Sequence, residues 1–189
     1  MKIIKSRLFK ILIVLFIFGF CLGIISSFIS KDNSSIINYF NTLENEKYNY
    51  LNGLILSFSY NLKYSFIIWI LGIIFCLSFI TPIIIIFRGI SVGFTIFSII
   101  IEFKIKGFIL SLIMLFPVMI INELVFLLLS YYSIRFSIKC FNSFKNNSLI
   151  NIKTFTKNYI YIFLILILVL FISSIFETFI TSNIVKFMI

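Results

Sequence analysis

The chain contains no histidine. That removes the commonest general base and the commonest metal ligand. Acids are nearly as scarce, the whole set being Asp32, Glu44, Glu46, Glu102, Glu123 and Glu177. A hydrolase without histidine needs paired carboxylates or an activated serine, and no G-x-S-x-G, H-E-x-x-H or phosphate-binding loop is present. These absences point away from an enzyme and from any metal, cofactor or small-molecule substrate. Cysteine is limited to Cys21, Cys76 and Cys140, with no C-x-x-C among them, so they read as small apolar fillers. Charged residues make up only 12% of the 189 positions. A soluble domain of this length needs far more polar surface than that.

What is there instead is apolar. Hydrophobic residues account for 61% of the chain, and its mean hydropathy is +1.19. The charges gather in short segments between long apolar runs, the pattern of repeated membrane spans. The net charge of +10 does not read as nucleic-acid binding. The basic residues are not interleaved with exposed aromatics but sit between spans, where they set topology and meet the lipid bilayer. The basic start (Lys2, Lys5, Arg7, Lys10) precedes a charge-free run from Ile11 to Ser30. That run is too long for a signal-peptide core, no A-x-A site follows, and Phe20 before Cys21 argues against a lipoprotein site. It is expected to be an uncleaved first span.

The expected fold is all-α: a polytopic membrane helix bundle of about five transmembrane helices in a single domain, residues 1–189. The spans are expected at 8–29, 58–79, 82–101, 107–134 and 158–176; four are near the 20 helical residues that cover about 30 Å of hydrocarbon, and the fourth in order, 107–134, is long enough to tilt. An outer loop is expected at 30–57, with a short interfacial helix over Ile36–Tyr50. Tyr60-Asn61-Leu62-Lys63-Tyr64 reads as an interfacial entry to span 2, with Lys63 snorkelling. Span 3 is placed by Thr81 as a cap and Pro82 at the first helical turn. This makes spans 2 and 3 a tight hairpin and puts Arg88 inside the membrane; a re-entrant pair of half-helices is the alternative. Residues 135–157 form a basic loop without acids, and the tail from Glu177 is expected to lie at the interface. By the positive-inside rule the N-terminus and the 135–157 loop are cytoplasmic and the C-terminus is outside.

Two intramembrane charges stand out. Arg88 lies six residues past Pro82, about 9 Å from the cytoplasmic side, and Glu123 lies 16 residues past Gly107, about 24 Å from the outside. In a core of about 30 Å both fall at one level, so an Arg88–Glu123 pair is expected between spans 3 and 4. It reads as a helix-locking ion pair rather than a proton or ion relay, because a relay needs a chain of ionisable groups. Two G-x-x-x-G patterns also occur in spans: Gly19 with Gly23, and Gly89 with Gly93. This spacing sets both glycines on one face and lets another backbone approach. They are candidates for packing within the chain, or else for a partner face.

Several elements together resemble the stage II sporulation protein M family. They are Asn61-Leu62-Lys63-Tyr64 with Trp69-Ile70-Leu71-Gly72-Ile73, the helix led by Pro82 with Phe87-Arg88-Gly89-Ile90-Ser91-Val92-Gly93-Phe94-Thr95, Leu115-Phe116-Pro117, and Phe176-Glu177-Thr178-Phe179-Ile180. The likeness covers nearly the whole chain; Val118-Met119 after Pro117 depart from the family's usual polar pair. The resemblance implies a non-enzymatic scaffold in engulfment of the forespore, in the mother-cell membrane at the sporulation septum. Its implied partners are the stage II sporulation proteins D and P, which remodel peptidoglycan. A permease or transporter subunit with a polar path at Arg88 and Glu123 is an alternative function, and an immunity or maturation protein of the same shape is a third.

Overall fold

The computed structural model describes residues 6–30, 50–112, 116–145 and 150–188. Every element among them is helical: α1 (Arg7–Ile29), α2 (Tyr50–Ile73), a 3₁₀ turn (Phe75–Ile80), α3 (Thr81–Leu110), α4 (Phe116–Lys145) and α5 (Ile150–Met188). Five of these helices are long and apolar enough to cross a membrane, with candidate spans at 7–29, 50–73, 77–109, 117–143 and 153–180. This is an all-α membrane bundle of five spans. In lipid the helix is the form that satisfies every backbone polar group within one segment.

The helices alternate in direction. Toward one end Phe9 at the start of α1 meets Tyr131, which begins the second half of α4, and Lys139 lies over Phe155 early in α5. Arg7, Lys10, Arg135, Lys139, Lys153 and Lys157 therefore gather at this basic end. At the other end Tyr50, which opens α2, meets Phe179 near the close of α5. Two units make the bundle. α1 and α3 share the most extensive helix contact, and α2, α4 and α5 pack as a triple. α4 touches all four other helices and is the most buried span. Its Val125, Phe126, Leu129 and Tyr131 form the core with Leu12, Ile68, Ile85, Phe163 and Leu170.

The boundaries differ from those expected. Span 2 begins at Tyr50 rather than Phe58, because Asn61 is buried in the bundle instead of marking a water interface. The first loop thus loses residues 50–57 to α2; the interfacial helix expected over 36–50 lies outside the described residues except Tyr50. The 3₁₀ turn, not the pair Ile80-Thr81, links α2 to α3. Thr81 is no side-chain cap; its hydroxyl donates to the Ser78 carbonyl at 2.7 Å. α3 runs past Ile101 to a break at Lys104, whose φ is 50° and ψ −122°, and there the chain doubles back until Gly107 lies against Ile99. α4 extends beyond the expected end at Ile134 to Lys145. Residues 135–145 and 150–157 of the expected basic loop are helical, since Phe136 and Cys140 carry a buried stripe onto Tyr159. α5 likewise continues through Glu177 to Met188, so Glu177–Ile180 belong to the span rather than to an interfacial tail.

Candidate functional site: a glycine seam and a buried ion pair

The site is built on α1 and α3. They run parallel, with Gly19 against the backbone of Ile86 and Gly23 against Ile90 and Phe94, while Gly89 meets Phe16 and Phe20 and Gly93 meets Phe20. A Cβ added at any of the four glycines would lie under 3.0 Å from backbone of the facing helix. The structure therefore brings Gly19, Gly23, Gly89 and Gly93 into one intramolecular seam. Such close approach maximises dispersion contact, which in lipid must replace the missing hydrophobic drive. Phe28 and Phe97 extend the seam, with ring centroids 6.2 Å apart.

The seam also aims Arg88. Adjacent helical residues point about 100° apart, so when Gly89 faces α1 its neighbour is turned toward α4. Arg88 Nη2 donates to Glu123 Oε1 at 2.5 Å, and both residues are buried. The guanidinium also stands 4.1 Å from the centroid of the Phe126 ring, 5.4 Å from Tyr64 and 5.8 Å from Tyr60. Glu123 and Phe126 sit three apart on α4 and share a face, so one helix supplies both carboxylate and ring. A buried charge needs a partner of this kind. The pairing is incomplete: Arg88 Nε, Glu123 Oε2 and the neighbouring Asn122 Oδ1 are buried without a hydrogen-bond partner.

Other contacts had little signal in the sequence. Gly72 lets α2 approach Ser133 and Tyr159. There Ser133 Oγ donates to the Ile68 carbonyl at 3.0 Å, and the Tyr159 hydroxyl donates to the Trp69 carbonyl at 3.0 Å. Trp69 stacks on Phe163 at 4.8 Å, and Phe136 on Tyr159 at 4.4 Å. Ser57 donates to Glu177 at 2.5 Å, tying α2 to α5. A single small residue followed by a distant aromatic has no distinctive spacing, so such pairs are invisible in one sequence. Among the described residues no three His, Cys, Asp or Glu side chains gather to hold a metal.

A family model described as stage II sporulation protein M matches residues 12–182, a stretch that reaches into all five spans. The chain belongs to the stage II sporulation protein M family. Membership makes it a sporulation-related, multi-pass membrane protein. No curated protein and no solved structure matches it significantly. Within this family member, Arg88–Thr95 is the stretch of α3 that holds half the seam and one side of the ion pair, while Asn61–Ile73 is the part of α2 that brings Tyr64 to the Arg88 guanidinium and packs on α4 and α5.

Proposed function

We propose that this chain is a membrane scaffold without chemistry of its own, which gathers peptidoglycan-remodelling proteins at the sporulation septum during engulfment. The basic end faces the cytoplasm, by the excess of lysine and arginine there, and the C-terminal end faces outward. Its partners are the stage II sporulation proteins D and P, and its place is the mother-cell membrane. Family membership supports the sporulation role. The observation that carries the scaffold reading is how the interior polar groups are used. The glycine seam is taken up between α1 and α3, and the intramembrane charges close on each other inside an aromatic surround. This is the construction of a rigid platform rather than of a moving path.

The test is co-purification from sporulating membranes together with deletion. The expected result is recovery of a peptidoglycan hydrolase with the chain and arrested engulfment without it. No hydrolase partner and normal engulfment would sink the reading. A permease subunit is the second reading, and one observation favours it. Glu123 Oε2 and Arg88 Nε have spare hydrogen-bonding capacity inside the bundle. Solute or proton flux through vesicles of the purified chain, lost in Glu123→Gln, would decide for it.

A further inference from the structure

Lys63 is out of place. Moving the start of α2 to Tyr50 puts it 13 residues from that end of the helix and 10 from Ile73, so about 20 Å from one side and about 15 Å from the other. Tyr64, the next residue, lies 5.4 Å from the buried Arg88 guanidinium, so this part of α2 runs alongside the intramembrane ion pair. Yet Lys63 is exposed on the outside of the bundle. Snorkelling serves lysines near helix ends, and this one is near the middle. Among the described residues no carboxylate pairs with it: Glu123 is committed to Arg88, and Glu177 turns inward to Ser57.

The surrounding face is mostly apolar, with Ser59 the exposed polar neighbour one turn before Lys63. Leu56, Tyr60, Ile67 and Ile70 are all exposed and recur with Lys63 at intervals of three and four, one stripe of a helix. An unpaired charge in hydrocarbon costs about 2.5–3.5 kcal/mol on insertion scales, so the stripe calls for a complement.

We propose that the outward face of α2 docks a single transmembrane helix of a different protein, one that carries an Asp or Glu near its midpoint to pair with Lys63. A second copy of this chain does not fit. Its Glu123 is buried and its Glu177 is turned inward, Glu102 lies near the far end of α3, and Asp32, Glu44 and Glu46 lie between the first two spans. Anionic headgroups sit at the interface, not at this depth. The proposal rests on the scaffold reading and names the chemistry of one partner contact.

The test uses the full chain in phosphatidylcholine vesicles, labelled as energy-transfer donor. The acceptor is a Leu-Ala transmembrane peptide of about 22 residues, either with one Glu at its midpoint or without it. The wild-type chain should bind the Glu peptide about tenfold more tightly than the plain one. Lys63→Met should abolish that preference and Lys63→Arg keep it; Lys63 is exposed, so both variants should show the wild-type unfolding transition. Equal binding of the two peptides, or a preference that survives Lys63→Met, overturns the proposal. A photo-crosslinker at Ile67 in sporulating membranes should join a partner segment bearing an acid within one turn of the adduct; adducts to lipid or to a second copy alone overturn it. Loss of the peptide preference with hydrolases still co-purifying removes only this docking face. An intact preference with no hydrolase co-purifying removes only the scaffold reading.

Discussion

Replacing Gly89 by alanine adds one methyl group where there is no room for it. The new Cβ would stand 2.5 Å from the Phe16 carbonyl oxygen and 2.9 Å from the Phe20 nitrogen, against ordinary contact from 3.4 Å outward. Both obstacles are backbone, so no rotamer change relieves them and α1 and α3 must part by roughly 1 Å. A gap of that size forfeits about a quarter to a half of each dispersion contact along the seam, and overpacking of this kind costs about 1–3 kcal/mol. Gly19→Ala faces the same seam and should cost as much alone. Once the helices have parted for one methyl, the second finds space, so the double variant should fall short of additivity by about 0.5 kcal/mol or more. Trp69 is the single tryptophan and lies in the stacked core beside Phe163, so its fluorescence can follow unfolding in mixed micelles by a denaturing detergent. Ile25→Ala, on the exposed side of α1, is the control. If Gly89→Ala unfolds within about 0.5 kcal/mol of wild type, the seam is not a close backbone contact and the argument fails.

The same unfolding assay reads the other variants. Glu123→Gln leaves the Arg88 guanidinium buried beside Phe126 without its carboxylate and should cost about 3–5 kcal/mol, whereas Arg88→Met with Glu123→Met together should recover most of that loss. Lys104→Gly should stabilise by about 1 kcal/mol, because a lysine at φ 50° holds a backbone conformation that glycine adopts freely. Tyr159→Phe removes the hydroxyl that donates to the Trp69 carbonyl and should cost about 1 kcal/mol, with the ring stacking on Phe136 kept.

Composition and run length determined that this is a helical membrane protein with five spans. Hydrocarbon admits few structures, and apolar runs of about 20 residues between charges leave little choice. Arg88 and Glu123 could be matched in depth from the helical rise alone, and the two G-x-x-x-G spacings mark which faces admit a close neighbour. Boundaries were less legible, because in a packed bundle polarity does not mark the water line. Asn61 looks interfacial in the sequence but is buried against other helices, and α4 runs past Ile134 because Phe136 and Cys140 still have a face to cover.

Tertiary structure alone decided which glycines face which. The register of α1 on α3 depends on two helices separated by an entire span, and no local pattern encodes it. It decided that Glu177 faces Ser57, and that Lys63, midway along α2, is exposed on the outside of the bundle. A single sequence states that a charge falls within an apolar run. Only the packing of the other helices tells whether that charge faces a partner in the bundle or the lipid.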